Sequence, residues 1–187
     1  MHIEAPSITI IGNIASGKST LARGIHAAWP QLNYACVDTV RVALRDRFPK
    51  REQAYALEHA AAEILMKQVM EASPLLYESS GATRLYAKAS AHIRAYRKGA
   101  ATTIRTRCGQ ALAMRRHTAR KAAGHKQVPP PFRGALPIPD CWYRFEDMLR
   151  GPVVDLVIDT EKHGPEETLA MALGHIRERI PQFPPAP

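Results

Sequence analysis

The 187-residue chain is long enough to bury the core of one domain without disulfide bonds or a structural metal. Its composition, 45% hydrophobic and 23% charged, excludes collagen-like, wholly disordered and coiled-coil proteins. Its net charge of +9 is unevenly distributed, because thirteen of the 26 Lys and Arg residues but none of the 17 Asp and Glu residues lie between positions 79 and 139. This cationic stretch predicts an anionic partner such as phosphate or nucleic acid.

The cysteines and the hydropathy of the chain bear on where the protein works. Cys36, Cys108 and Cys141 are widely spaced and form no CxxC pair, which favours a reducing compartment over a disulfide framework or a zinc site. Residues 1–6 are too short for the apolar region of a signal peptide, and no run of about 18 apolar residues predicts a transmembrane helix. We therefore expect a cytoplasmic protein with no membrane partner.

Short apolar runs alternate with helical segments from the start of the chain. Each run is rich in branched or aromatic side chains and is followed by a glycine, a serine or a charged residue, as expected for buried strands. The predicted strands are residues 7–11, 33–37, 74–78, 101–106 and 153–158.

The segments between these strands have the composition of helices. The predicted helices are residues 19–28, a segment from Thr39, and residues 50–72, 82–98, 109–123, 140–149 and 166–179, with a tail at 181–187. The alternation predicts an α/β fold with a parallel sheet of about five strands flanked by helices. No repeat or second boundary interrupts the pattern, so we expect residues 1–187 to form a single domain.

A glycine-rich loop lies between the first predicted strand and the first predicted helix. Residues 12–19 read GNIASGKS and match the phosphate-binding pattern GxxxxGK[ST] at every fixed position. The glycines let backbone N–H groups turn towards phosphate oxygens, and the following helix directs its positive end at the same point. Lys18 would reach the β- and γ-phosphates of ATP, and Ser19 would ligate Mg²⁺. The predicted ATP-binding loop residues are Gly12, Asn13, Ile14, Ala15, Ser16, Gly17, Lys18, Ser19 and Thr20.

This loop predicts a P-loop NTPase fold, and the rest of the chain favours the nucleotide-kinase-like class within it. The chain has no NKxD-like guanine motif, and its nearest match to the acidic strand of ATPases is residues 74–78, which end in Glu78. Glu78 would hold either a Mg²⁺-bound water or the acceptor. Asp38 ends the second predicted strand, at the edge where open α/β sheets bind ligands, and there it would orient or deprotonate an acceptor hydroxyl. The alternative is that Asp38 only caps the next helix.

The order of these motifs resembles the kinase domain of phage-type polynucleotide kinases. The shared elements are GxxxxGKS, the sequence Asp38-Thr39-Val40-Arg41 about twenty residues later, and Arg-x-x-x-Arg at 116–120 followed by Val-Pro at 128–129. The chain departs from that family where Glu78 ends the third strand, since the family typically has Asp there.

This resemblance implies a mechanism and a class of acceptor. Asp38 would be the general base, Arg41 would contact the phosphate of the acceptor, and Arg116 or Arg120 would stabilise the transferring phosphoryl group. ATP and Mg²⁺ would be the cofactors. The acceptor would be a nucleic acid or a nucleotide, phosphorylated at a 5′-hydroxyl end or at the hydroxymethyl group of a modified base such as 5-hydroxymethyluracil.

The cationic stretch divides into two parts. Residues from about 105 to 139 are predicted to form an Arg-rich helical lid, in which Arg116 and Arg120 lie one turn apart and neutralise the γ-phosphate. Upstream of it, the cations of one helix would track a nucleic-acid backbone, with Arg84 as a substrate-binding residue. These cations are Arg84, Lys88, Arg94, Arg97 and Lys98. A solvated helix face is the alternative. Thr160, after the last strand, lies either near the nucleotide or in a plain turn.

Two other functions use the same motifs. A small-molecule kinase of the gluconate, shikimate or antibiotic phosphotransferase kind accounts for the phosphate loop and Asp38, but gives no reason for the surplus cations. A nucleic-acid-binding ATPase would hydrolyse ATP without an acceptor and would keep its turnover when Asp38 is changed to Asn.

Overall fold

The computed structural model describes residues 2–44, 47–48, 53–124 and 138–183. The proline-rich segment at 128–137, which carries most of the predicted lid loop, and the end of the predicted tail lie outside these residues. The elements in chain order are β1 Ser7–Gly12, α1 Lys18–Ala28, β2 Asn33–Cys36, α2 Val37–Leu44, α3 Ala54–Val69, β3 Leu75–Ser79, α4 Arg84–Tyr96, β4 Ala101–Arg107, α5 Gln110–Ala122, α6 Ile138–Met148, β5 Leu156–Asp159 and α7 Pro165–Arg179.

The five strands form one parallel sheet in the order β2-β3-β1-β4-β5. β1 lies at the centre, with Ile10 level with Glu78 on β3 and with Ile104 on β4. All five strands point the same way, so their carboxyl ends and the loops that follow them meet at one edge of the sheet. The predicted fold class, a parallel α/β sheet flanked by helices, is confirmed.

Alternating side chains of β1 supply apolar cores on both faces of the sheet. Ile8 and Ile10 pack against α1 and α7, where Trp29 stacks on Phe183. Ile11 packs on the other face, with α2, α3 and α4. Strands buried on both faces require a nearly continuous apolar sequence, which explains why SITII is recognisable as a strand.

The structure corrects two helix starts. α2 begins at Val37, directly after β2, so Asp38 lies in the first helical turn and the alternative that it only caps this helix is wrong. α6 likewise begins at Ile138, two residues before the predicted start at Asp140, which lies in its first turn. In both places a residue before the aspartate already adopts the helical conformation. No helix in the described part of the chain is long and apolar enough to cross a membrane.

Candidate active site

The phosphate loop joins the central strand to the N-terminus of α1. Gly17 precedes the helix with φ of 92°, a left-handed conformation that favours glycine. A Cβ at Gly12 would collide with the hydroxyls of Ser16 and Thr106, which are hydrogen-bonded to each other at 2.8 Å. The loop is thus packed tightly against β4. Lys18 and Ser19 are the first two residues of α1, where the helix presents its positive end.

A buried carboxylate lies against the serine of this loop. The side chain of Glu78, near the end of β3, is 1% exposed and accepts a hydrogen bond from the Ser19 hydroxyl at 2.5 Å. Its second oxygen accepts from the hydroxyl of Tyr34 on β2. Burial and the neighbouring Glu78 raise the pKa of Tyr34, so its hydroxyl remains a donor at every physiological pH. Tyr34 was not predicted from the sequence, because only the pairing of β2 with β3 brings it to Glu78.

The Ser19–Glu78 pair matches what Mg²⁺ requires of a protein. Mg²⁺ takes hard oxygen ligands, keeps several waters and is usually held by one or two carboxylates together with phosphate oxygens. A hydroxyl and a carboxylate meet here next to the phosphate loop. Of the two roles that the sequence left open for Glu78, this position favours the one at the metal.

Asp38 follows β2, at the carboxyl edge of the sheet where Glu78 also lies. It belongs to a charged cluster with Arg41 and Glu58. The Asp38 side chain is 52% exposed and lies 3.6 Å from the Arg41 guanidinium. Arg41 is only 5% exposed, and its second terminal nitrogen donates to Glu58 on α3 at 2.6 Å. The carboxylate predicted as the base is therefore accessible, whereas the predicted substrate-binding arginine is buried and held by two carboxylates. Glu58 has no local sequence signal and was missed.

The arginines of α5 lie on the other side of the phosphate loop. Arg116 donates to the carbonyl of Ala15 at 3.3 Å and to the hydroxyl and carbonyl of Thr160 at 2.9 and 2.8 Å. Thr160 in turn donates to the Ser16 carbonyl at 2.9 Å. Predicted residues Arg116, Arg120 and Thr160 thus come together beside the start of α1. The cleft there is lined by Gly17, Thr20, Leu21, Arg116, Arg120, Thr160, His163, Gly164, Pro165 and Thr168.

Hydrogen bonds from Asn13 connect the phosphate loop to α6, and these contacts were not predicted from the sequence. The amide of Asn13 donates to the Trp142 carbonyl and to one oxygen of Glu146, each at 2.9 Å. The other oxygen of Glu146 accepts from Arg105 of β4 at 2.6 Å. Asn13 is therefore a structural residue of the loop as well as a member of the phosphate-binding pattern.

The upstream cations of the basic stretch do not form one surface. Arg84 and Lys88 are exposed on α4, and Arg84 is the first residue of that helix, near the carboxyl edge of the sheet. Arg97 is 5% exposed and donates to four backbone carbonyls. The hypothesis that Arg97 belongs to a nucleic-acid track is wrong, because its guanidinium points into the protein.

Comparison with known proteins shows the same architecture in solved structures. A protein of Chloroflexus aurantiacus j-10-fl named as a proposed kinase superimposes with a TM-score of 0.70 at 19% identity, over 95% of this chain and 99% of that chain. Shikimate kinase of Aquifex aeolicus vf5 gives 0.59 at 18% identity, over 92% and 96% of the two chains. A gluconokinase of Sinorhizobium meliloti 1021 gives 0.56 at 16% identity, over 95% and 94%.

The chain has the fold of a P-loop kinase. No protein-family model matches its sequence, and no curated protein sequence does. The likeness is therefore one of architecture, and the assignment of chemistry depends on the side chains of this chain.

Proposed function

We propose that the protein is an ATP-dependent kinase that transfers the γ-phosphate of ATP to a hydroxyl group. The observation that carries the proposal is the convergence, at one edge of the sheet, of three chemically different groups. These are the phosphate loop with Lys18, the Ser19–Glu78 pair, and the accessible carboxylate of Asp38. Phosphoryl transfer needs little more than such positioning and charge neutralisation.

Each group has a distinct role in this reaction. Lys18 would neutralise the β- and γ-phosphates, and Ser19 with Glu78 would hold Mg²⁺, which would supply further charge neutralisation. Asp38 accepts the proton of the acceptor hydroxyl as its oxygen bonds to the γ-phosphorus. The bond from that phosphorus to the bridging oxygen breaks, and ADP leaves with the electron pair.

The α5 side of the loop fits the rest of the nucleotide. The cleft beside Gly17 and Thr20 is continuous with the phosphate loop and contains Arg116 and Arg120. Two guanidinium groups there balance the charge of the triphosphate, as expected for a lid. We place the nucleoside of ATP in this cleft, with Thr160 at its floor.

Two variants test the proposed chemistry. We expect Asp38→Asn to lower transfer from γ-labelled ATP to an acceptor by about 10²–10⁴-fold, the usual contribution of a general base, while ATP still binds. We expect Lys18→Met to lose both transfer and tight ATP binding. Asp140→Asn, which changes an exposed carboxylate on α6, is the matched control. Phosphate release without any labelled acceptor, and unaffected by Asp38→Asn, would identify an ATPase instead.

The contacts favour a small acceptor over a polymer. Three cations that contributed to the prediction of an anionic partner bind other parts of the chain: Arg97 binds backbone carbonyls, Arg105 binds Glu146, and Arg107 binds Asp159. Part of the surplus positive charge is therefore accounted for by folding.

A nucleic-acid or nucleotide acceptor, as in phage-type polynucleotide kinases, is the second candidate. It is supported by the exposed side chains of Arg84, Lys88 and Arg94 on α4. The acceptor would be a 5′-hydroxyl end or a hydroxymethylated base. The test is to measure binding of a 5′-hydroxyl oligonucleotide at 50 and 200 mM salt, because each phosphate contact steepens the salt dependence. An affinity that does not change with salt would exclude a polymeric acceptor. Absence of transfer to the 5′-hydroxyl oligonucleotide, to hydroxymethylated DNA and to nucleotides would exclude the whole candidate.

A further inference from the structure

We propose that the acceptor carries no phosphate or carboxylate next to its reactive hydroxyl, and is a neutral or cationic polyhydroxyl compound such as a polyol or an amino-polyol. The inference rests on the proposed function and concerns the charge of the site around Asp38. It also assigns Glu58, which no motif contains, as a residue that determines acceptor specificity.

The two carboxylates of this cluster are more exposed than its guanidinium, so an approaching acceptor contacts them first. The guanidinium of Arg41 is 5% exposed, whereas the side chains of Asp38 and Glu58 are 52% and 38% exposed. Both terminal nitrogens of Arg41 are directed at these carboxylates, at 3.6 Å and 2.6 Å. An acceptor at Asp38 therefore contacts carboxylate oxygens rather than the guanidinium.

The charges of the cluster do not cancel. Two carboxylates share one guanidinium, so Asp38, Arg41 and Glu58 together carry one net negative charge. A phosphate or carboxylate on the acceptor would be repelled here, and the partly buried position weakens screening by water and salt. Hydroxyl and ammonium groups instead donate hydrogen bonds to carboxylates.

Arg41 cannot readily be released to bind an anion. Its guanidinium has been removed from water, and the close contact with Glu58 offsets the cost of that burial. Turning Arg41 towards an anionic acceptor would break this contact and leave Glu58 without its partner. Glu58 thereby has two effects: it occupies Arg41, and it presents an oxygen to a donor group of the acceptor.

The experiment compares acceptors that share a scaffold and differ in charge. Transfer from γ-labelled ATP is measured as kcat/KM for sorbitol, glucosamine, gluconate and glucose 6-phosphate, and for thymidine against thymidine 3′-monophosphate. We expect the neutral or cationic member of whichever scaffold is used to be preferred at least tenfold. We expect Glu58→Gln, which removes one negative charge and loosens Arg41, to shift this ratio at least tenfold towards the anionic member, chiefly through KM.

Glu63→Gln is the matched control, since Glu63 lies on the same helix, is 66% exposed and contacts only His59 among the ion pairs described. Preference of the wild-type protein for an anionic member overturns the inference, and so does a Glu58→Gln ratio equal to that of Glu63→Gln. If Glu58→Gln does not fold, the wild-type preference alone decides. Transfer to no acceptor, with ATP still bound, overturns the proposed function and the inference with it. Preferential transfer to an anionic acceptor overturns the inference alone.

Discussion

At the scale of single residues, the contact between Tyr34 and Glu78 fixes the orientation of the carboxylate that we propose binds Mg²⁺. Both oxygens of Glu78 are occupied, one by the Tyr34 hydroxyl and one by the Ser19 hydroxyl. A buried carboxylate with only one donor would be free to rotate and less well compensated for its burial. Tyr34 is thus a positioning residue that acts through Glu78.

We predict that Tyr34→Phe raises the Mg²⁺ concentration for half-maximal activity about tenfold, because it removes one hydrogen bond to a charged group. The KM for the acceptor should stay within about twofold. The measurement is a Mg²⁺ titration at saturating ATP, together with the melting temperature.

Tyr143→Phe removes a tyrosine hydroxyl of the same type from an exposed position on α6 and serves as the control. An unchanged Mg²⁺ dependence in Tyr34→Phe, or an equal change in both variants, would rule out the positioning role of Tyr34.

The sequence predicts some of these residues and not others for a physical reason. The phosphate loop is contiguous, so its chemistry can be read from eight adjacent residues, and Asp38 and Glu78 are found because they follow apolar strands. Glu58 and Tyr34 act through contacts between elements distant in the chain. No spacing rule connects Glu58 to Arg41, since the geometry of that contact depends on how α2 packs on α3.

At the scale of elements, Arg97, which caps the C-terminus of α4, connects that helix to the amino-terminal edge of the sheet, opposite the candidate site. Arg97 donates to the carbonyls of Pro6, Val69, Glu71 and Ser73. These carbonyls come from the segments that precede β1 and β3. One side chain therefore satisfies backbone groups that would otherwise be buried without partners.

We predict that Arg97→Met lowers the free energy of unfolding by about 3 kcal/mol or more, because several buried carbonyls lose their donor. Arg94→Met, on the exposed face of the same helix, should change it by less than about 0.5 kcal/mol. Urea denaturation measures both. Equal stability of the two variants would show that the hydrogen bonds of Arg97 do not stabilise the fold.

α6 links the phosphate loop to the turn after β3. Glu146 binds Asn13 and Arg105, and Leu149 packs against Gly81, which has φ of 78°. The carboxylate presents one acceptor oxygen to each of its two donors, whereas an amide in its place would turn its NH₂ group towards one of them. The existence of this helix was predictable from composition, but its bridging role was not, since the bridge spans 133 residues.

We predict that Glu146→Gln weakens ATP binding by about tenfold and lowers the free energy of unfolding by about 1–3 kcal/mol. The NH₂ group of the glutamine would face Asn13 or Arg105, so one of these donors would lose its acceptor. Isothermal titration with a non-hydrolysable ATP analogue measures the first effect, and thermal denaturation measures the second. Asp147→Asn, the next residue on the same helix and 77% exposed, is the control. Lowered stability with unchanged ATP affinity would contradict a role in shaping the phosphate loop.

At the scale of the whole molecule, the three cysteines are probes of the packing between the sheet and its helices, because all three are buried. Cys36, Cys108 and Cys141 are 8%, 6% and 1% exposed. Burial and the nearby Glu78 raise the pKa of Cys36 to about 11, and burial also raises the pKa of Cys108 and Cys141. All three are therefore protonated thiols at neutral pH and poor nucleophiles.

We predict that a maleimide labels none of them rapidly in the folded protein at pH 7.5 and labels all three in urea. Labelling of the folded protein should accelerate as the pH approaches 11, because the thiolate form of Cys36 grows. Mass spectrometry of timed samples gives the stoichiometry and the position. Rapid labelling of Cys36 at pH 7.5 would contradict its burial beneath the carboxyl edge of the sheet.

The central position of β1 has a consequence for how the protein is made. Ser7–Gly12 leaves the ribosome before the other four strands, and its two neighbours begin only at Leu75 and Ala101. Translation adds roughly 5–20 residues per second, so this isoleucine-rich strand waits on the order of seconds for a partner. During that time it exposes the kind of edge that invites aggregation. The nascent segment Ser7–Gly12 is therefore the place where a chaperone would determine the yield of folded protein in a cell.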